Sequence, residues 1–444
     1  MKMKELSYLQ IIAGGFLGVI LLGALLLALP VASKTGMPTS FVDALFTAAS
    51  ATCVTGLVVV DTYTHWSVFG QIVILSLIQI GGLGFMSFIV MVWLFLGRKI
   101  GMRERNLLRA SISVTNLGGV VRLAKHILWG TLIFEAAGAI LLSLRFYPQM
   151  GFGQGLYYGI FHSISAFCNA GFDLMGKFGQ YSSLTTFAAD GLLNAVIMFL
   201  IVIGGIGFFV WEDVYTHKLK FRKYSLHSKM VLMTTLILIL GGAVAIFISE
   251  YQNAFAGMPL HEAIYASFFQ SITPRTAGFN TVDLQTFNDA TIFLIIFLMI
   301  VGGSSGSTAG GIKTTTLAVL WCATMNTIKK RRHVNVFSRR LEDDAVARAA
   351  TVLVLYLGLI IVSVFLLCGV EGISMKESMF EVASALGTVG LSLGATLKIG
   401  IFGKILLTFL MYFGRVSTVT IVVLFIGRKE PALTTWPMEK INIG

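Results

Sequence analysis

Four stretches of this chain repeat one pattern in register, and no other feature of the sequence restricts the possible folds so tightly. They are Phe46 to Leu57, Phe161 to Phe172, Phe268 to Phe279 and Phe380 to Leu391. In each, a phenylalanine precedes a glycine (Gly56, Gly171, Gly278, Gly390) by ten positions, and a large apolar residue follows it. The glycines are 115, 107 and 112 residues apart. One copy alone would say little; four in register mean four equivalent structural units in one chain. The expected units are 1–100, 101–217, 218–330 and 331–430, with a tail over 431–444.

The surroundings put these units in a membrane. Of 444 residues, 56% are hydrophobic and 12% charged, and the mean hydropathy is +0.84. Such values belong to polytopic membrane proteins. Long apolar segments cover roughly 6–29, 67–97, 122–146, 188–216, 226–250, 287–327, 346–369 and 401–427. Each repeated stretch lies between the two segments of a pair and is too short to span, at about ten helical residues against the ~20 required. It reads as a re-entrant short helix followed by a loop. The expected fold is an all-α polytopic membrane protein of four M1–P–M2 units, with eight transmembrane helices and four pore helices. The first apolar segment is too long for a signal-peptide core and lacks a cleavage site, so it counts as a retained helix.

A net charge of +12 could suggest nucleic acid, but its distribution argues against that partner. Seven basic residues fall between Arg98 and Lys125, five between Lys218 and Lys229, and seven between Lys329 and Arg348. The intervening loops near Lys34, Tyr147, Glu250 and Glu371 carry few. This is the positive-inside pattern, with both termini and the three basic loops cytoplasmic at the lipid headgroups. A docking surface for a cytosolic partner is a further reading of the same loops. The four cysteines have no paired spacing and the seven histidines form no ligand cluster. Neither a disulfide frame nor a zinc site is expected. No Ser/His, Asp/Asp or His-Glu-x-x-His constellation falls within the spans, so an enzyme is not expected either.

All four units point the same way, which builds a pore on an axis normal to the membrane; many rocking carriers instead use inverted repeats. A short helix ending at mid-membrane presents about half a negative charge, and four together favour a cation. The loops after them, Val54-Thr55-Gly56, Asn169-Ala170-Gly171, Thr276-Ala277-Gly278 and Thr388-Val389-Gly390, can offer backbone carbonyls in place of a cation's water shell. Their side chains differ, which fits coordination by backbone. Glycine lets the chain take positive φ and approach an ion closely.

A second register follows in the M2 segments: Gly81-Gly-Leu-Gly-Phe85, Gly204-Gly-Ile-Gly-Phe208, Gly302-Gly303 and Phe413-Gly-Arg415. The third copy expands into Gly302, Gly303, Ser304, Ser305, Gly306, Ser307, Thr308, Ala309, Gly310 and Gly311. Such a stretch cannot stay helical against lipid, where each freed N–H or C=O costs several kcal/mol. It must line a polar path, and several arrangements of similar energy would suit a gate. Arg415, costly in a membrane unless it faces water or a partner, is placed on the axis as an electrostatic barrier beside that loop. Neutralisation by a carboxylate or by helix-end carbonyls is its structural alternative. Lys313 is expected to snorkel toward the cytoplasm. Glu381 either braces the filter from behind or faces the outer vestibule. Glu135 needs a partner the sequence does not identify. Cys53 and Cys168 share a repeat position that small-residue packing explains.

These features together resemble the Ktr/Trk/HKT superfamily of cation uptake proteins. The carriers of the resemblance are the four M1–P–M2 repeats, one glycine per loop, Ser271 to Phe279, the Gly302–Gly311 break and Arg415. Because the first repeat starts almost at the N-terminus, the chain is most similar to the membrane subunit of bacterial Ktr systems, of KtrB or KtrD type. The resemblance implies potassium uptake stimulated by sodium, a homodimer with a pore in each protomer, and a bacterial cell membrane. It also implies a cytosolic RCK ring of KtrA/KtrC type that binds nucleotide, so that no organic cofactor sits on this chain. Gly56, which is serine in sodium-preferring plant relatives, favours potassium. A sodium-selective or Na+/K+-symporting pore of the same architecture is the alternative, ahead of a rocking carrier.

Overall fold

The computed structural model describes residues 8–84, 88, 101, 106 and 120–416 apart from 219, 332 and 343. Repeat 1 comprises α1 (Tyr8–Ala28), the pore helix α2 (Phe41–Thr52), a short α3 (Thr62–His65) and α4 (Val68–Leu83). Repeat 2 comprises α5 (Val120–Phe167), α6 (Gly191–Gly205) and α7 (Phe208–His217). Repeat 3 comprises α8 (Leu226–Glu250), the pore helix α9 (Leu260–Ile272), α10 (Asp289–Ile300) and α11 (Thr314–Ile328). Repeat 4 comprises α12 (Asp344–Glu371), the pore helix α13 (Met375–Gly387) and α14 (Ile401–Val416). A two-stranded hairpin, β1 (Asn335–Val336) with β2 (Arg339–Arg340), interrupts the third basic loop. The chain is a multi-pass membrane protein whose described residues are, this hairpin apart, helices and their connections.

The M1 helices are apolar nearly all round and leave leucines such as Leu22 and Leu25 exposed, as a lipid-facing helix does. Their buried sides join apolar clusters that link successive repeats, among them a small one of Ile206 and Val210 in repeat 2 with Val231 in repeat 3. Of the larger ones, one ties repeats 1 and 2 and reaches the repeat 3 loop through Ala277 and Phe279. A second packs Phe46 and Ala49 of α2 against Leu407, Leu410 and Met411 of α14. A third joins repeats 3 and 4.

Two expectations change. In repeat 2 no loop separates M1 from its pore helix: the chain reverses inside α5 at Gly151 (φ 76°, ψ 174°), three residues after Pro148. Only glycine readily takes that backbone conformation. The M2 segment expected over 188–216 is not a single helix; nor is that over 287–327, which the sequence already expects to break at 302–311. The first bends by 94° between α6 and α7, at Gly207 with φ 96°. The second is interrupted from 301 to 313. In repeat 1, α4 stops at Gly84 (φ 81°), the matching glycine of the Gly-Gly-x-Gly motif. The continuation of M2 in repeats 1 and 4, most of the first basic loop and the tail 431–444 lie outside the described residues.

Packing explains the second glycine register. A Cβ on Gly81 would collide with Thr52 O, one on Gly204 with Phe167 O, and one on Gly414 with Leu386 O. In three repeats, therefore, M2 lies directly against a carbonyl at the end of its own pore helix. The next position is Gly82, Gly205 and Gly303 in repeats 1 to 3, and Arg415 in repeat 4.

Candidate functional site

After each pore helix the chain turns through the same two conformations. Val54, Asn169, Thr276 and Thr388 have φ of 57°, 59°, 75° and 52°, and the glycines two residues on have 94°, 68°, 79° and 97°. The residues between them stay at negative φ. Left-handed non-glycine residues cost roughly 1–2 kcal/mol each, and four in register mark a designed turn rather than chance.

The four loops close into a ring. A Cβ on Gly56 would stand 2.5 Å from Ala170 O, and one on Gly171 would stand 2.7 Å from Ala277 O. Gly278 meets Val389 O and Gly390 meets Thr55 O in the same way, closer still. Each glycine thus faces the carbonyl that precedes the next glycine, in the order 1-2-3-4-1. All twelve residues of the expected filter are brought to this ring.

Hydroxyls that the sequence reading overlooked hold the loops. Ser50 Oγ accepts the Gly56 N–H at 3.1 Å and Ser384 Oγ accepts the Gly390 N–H at 3.1 Å. Ser165 Oγ donates to Phe172 O at 2.7 Å and Thr273 Oγ1 to Phe279 O at 2.6 Å. The signal was present: serine precedes the glycine by six in three repeats. Repeat 3 hides it, because its hydroxyl comes five before. The same one-residue shift makes Phe269, rather than the aligned Phe268, the buried phenylalanine of that pore helix.

The side chain after the shared phenylalanine reaches the outer loop in repeats 2 and 4. His162 Nε2 accepts the Leu174 N–H at 3.3 Å. Glu381, fully buried, accepts from Thr396 Oγ1 at 2.7 Å, from Thr396 N–H at 3.3 Å and from Ser392 Oγ. Glu381 is a brace behind the loop and does not line the vestibule. That vestibule, a cavity of about 270 Å³, is floored by the four glycines. Val58, Asp173, Asn280 and Ser392, each two residues past a glycine, form its next tier, and Asp61 and Asp283 add acidic charge.

On the opposite side lies the 302–311 loop, its ends joined by a parallel bridge between Val301 and Ile312. Ser304 N–H donates to Gly205 O at 2.9 Å, and Thr308 donates through N–H to Gly204 O at 3.3 Å and through Oγ1 to Phe167 O at 3.2 Å. Gly306 O accepts the Phe208 N–H at 2.7 Å. Internally, Ser304 shares a hydrogen bond with Thr314 at 2.8 Å, Ser305 with Thr315 at 3.3 Å, and Ser307 Oγ donates to Ser304 O at 2.7 Å. A Cβ on Gly310 would strike Thr388 of the repeat 4 loop, so the two loops are in direct contact. Of these hydroxyls, Ser307 serves backbone freed by the break, since it also accepts the Ala309 N–H at 3.2 Å. Those of Ser304 and Ser305 pair with threonine hydroxyls, and that of Thr308 with the end of the repeat 2 pore helix.

Arg415 joins this loop to repeat 1. Its guanidinium donates to Thr308 O, to Gly81 O, and to Gly82 O at 3.0 Å. The arginine expected as a bare barrier is therefore held by helix-end carbonyls and by the loop together. Lys313 does not snorkel: Nζ donates to Ala309 O at 2.8 Å and Gly310 O at 3.3 Å, because those carbonyls have left the helix and need donors. Glu135 finds Gln79 Nε2 at 3.1 Å, with the Cys168 thiol beside both. Cys53 is buried in the apolar cluster between repeats 1 and 4.

The comparisons with known proteins agree with this architecture. The family described as TrkH, cation transport protein, matches residues 21–432. The chain is 41% identical to Ktr system potassium uptake protein B of Bacillus subtilis, over 98% of this chain and 96% of that one. It is 39% identical to potassium/sodium uptake protein NtpJ of Enterococcus hirae, over 99% and 98%. Ktr system potassium uptake protein D of Bacillus subtilis is 36% identical over 99% and 98%. The crystal structure of the potassium transporter TrkH from Vibrio parahaemolyticus has the same fold, with a TM-score of 0.74 at 19% identity, covering 95% of this chain and 86% of that one. The chain belongs to the TrkH family of cation transport proteins, and within it resembles the Ktr subunits B and D.

Proposed function

We propose that this chain is the potassium-translocating membrane subunit of a Ktr-type uptake system. The closed ring of four glycine loops carries the reading. Positive φ on either side of a residue at negative φ turns successive carbonyls of a loop toward one side, and a cation on the axis can exchange its water shell for them. The acidic vestibule concentrates cations outside the ring. The 302–311 loop with Arg415 is the gate beneath it. Sodium stimulates uptake, two copies form a dimer in the bacterial cell membrane with their termini in the cytoplasm, and a cytosolic nucleotide-binding RCK ring docks on the basic loops. These last features rest on the family and on the charge of the loops. Growth of a potassium-uptake-deficient bacterium at low potassium tests the reading. Rescue is expected with a co-expressed RCK subunit and weaker rescue without it; no rescue by a well-expressed chain in either case refutes it.

The sodium reading keeps one observation in its favour: a relative 39% identical over nearly the whole chain is named for potassium and sodium together. Competition between the two ions for uptake into vesicles separates the readings.

A further inference from the structure

The 94° bend after α6 opens a cleft of about 510 Å³ between α5 and α7 that the transport path does not use. Its walls are almost wholly apolar, with Ile127, Gly130 and Phe134 on one side and Ile203, Phe208 and Trp211 on the other. Trp129, Ile133 and Tyr215 at its edges are 62%, 63% and 75% exposed. One end is polar: His126 Nδ1 lies 2.6 Å from Glu212 Oε2. Beyond that pair come two exposed cations, Arg122 one helical turn before His126 and Lys218 at the end of α7. Residues four apart share a helix face, so Arg122, His126 and Trp129–Ile133 form one stripe along the cleft. The nearby acids are already engaged, Glu212 by His126 and Asp213 by the N–H and hydroxyl of Ser225 at 3.0 and 2.6 Å, with His217 at 3.7 Å. With Lys125, also exposed on α5 beside His126, three cations stand against the two carboxylates, so this end carries net positive charge on the side of the basic loops.

The geometry points to a binding site for one anionic phospholipid: an acyl chain in the apolar trough and a phosphate headgroup between Arg122 and Lys218. A cleft with apolar walls inside a bilayer is filled by lipid unless protein covers it. Aromatic residues at its rim suit the headgroup level, and basic side chains there select anionic over zwitterionic lipid by roughly fivefold each. Phe208 ties the site to the central loop, since the residue that lines the cleft also donates its N–H to Gly306 O.

Tryptophan quenching by brominated lipid tests the proposal on the full-length chain in vesicles. The component that disappears in Trp129→Phe reports the cleft. Brominated phosphatidylglycerol is expected to quench it at a several-fold lower mole fraction than brominated phosphatidylcholine. The preference should vanish when Arg122→Gln and Lys218→Gln are combined. Equal quenching by the two lipids in the unaltered chain means bulk lipid only and overturns the site. Quenching by neither, as when a second copy of the chain covers the cleft, overturns it too. A double variant that keeps the full preference removes the assigned headgroup contacts. The unaltered chain alone decides the first two outcomes, and loss of binding here leaves the transport reading untouched.

Discussion

At Gly56 there is no room for a side chain: a Cβ would lie 2.5 Å from Ala170 O, on a backbone at φ 94° that L-residues avoid. Gly→Ala at any of the four ring positions combines this collision with about 1–2 kcal/mol of backbone strain. Each should widen or distort the ring, so the preference for potassium over sodium falls together with uptake. Gly278 and Gly390, where the facing carbonyl is nearer than at Gly171, should be hit harder. Unchanged competition by sodium in all four variants would refute the filter. Glu381 makes a second prediction. Glu381→Ala leaves Ser392 and Thr396 without their acceptor in a buried site, at about 1–3 kcal/mol, while Glu381→Gln keeps an acceptor oxygen. The alanine variant should lose thermal stability and ion preference, and the glutamine variant should keep most of both; equal behaviour of the two in a melting and uptake series would remove the brace. The ring glycines were legible because positive φ and close approach demand glycine at fixed spacing. The Glu381 side chain was not, since burial and vestibule exposure follow from how α13 rotates, which its sequence leaves open.

The 302–311 loop was legible as a break, because no helix in lipid tolerates five glycines in ten residues. Its contacts were not. They depend on carbonyls exposed where α4 and α6 end or bend, a consequence of Gly84 and Gly207 that the Gly-Gly-x-Gly pattern only hinted at. What results is a strap bound to repeat 2 by Ser304 and Thr308 and to repeat 1 through Arg415. Bonds from a charged donor contribute about 1.5–3 kcal/mol each, so Arg415 is the strongest tie. Arg415→Gln should release the strap and raise uptake velocity several-fold with little change in ion preference. Deleting part of 303–310 should do the same and weaken dependence on the cytosolic partner. Initial rates of potassium uptake, normalised to protein in the membrane, decide it. A well-expressed deletion that is no faster and still needs its partner refutes the gate.

The whole molecule is a ring whose last joint is non-covalent. Equal spacing announced four units, but nothing in the sequence stated that the fourth closes on the first, because that contact is set by packing across more than 300 residues. It is made at three levels. Lys404 Nζ lies 2.6 Å from Asp43 Oδ1, and Tyr412 Oη donates to Ala13 O at 2.9 Å. Between them, α14 packs on α2 in the apolar cluster. At the ring itself, Gly390 faces Thr55 O. The chain connection between repeats 3 and 4, by contrast, runs through the basic loop holding the β1–β2 hairpin, away from the ring. Continuity there should matter less than closure. Co-expressed fragments 1–336 and 339–444 are therefore expected to reassemble and restore potassium uptake to a substantial part of the intact level. Fragment 1–336 alone, with the faces of α2 and α10 uncovered, should neither transport nor accumulate. Weakening the joint in the split protein, by Asp43→Ala or Leu407→Ala, should abolish rescue while the intact chain carrying the same change keeps working, since its covalent loop holds repeat 4 at high effective concentration. Fragments that accumulate together yet never transport, or a split protein indifferent to both substitutions, would show that this joint does not govern assembly.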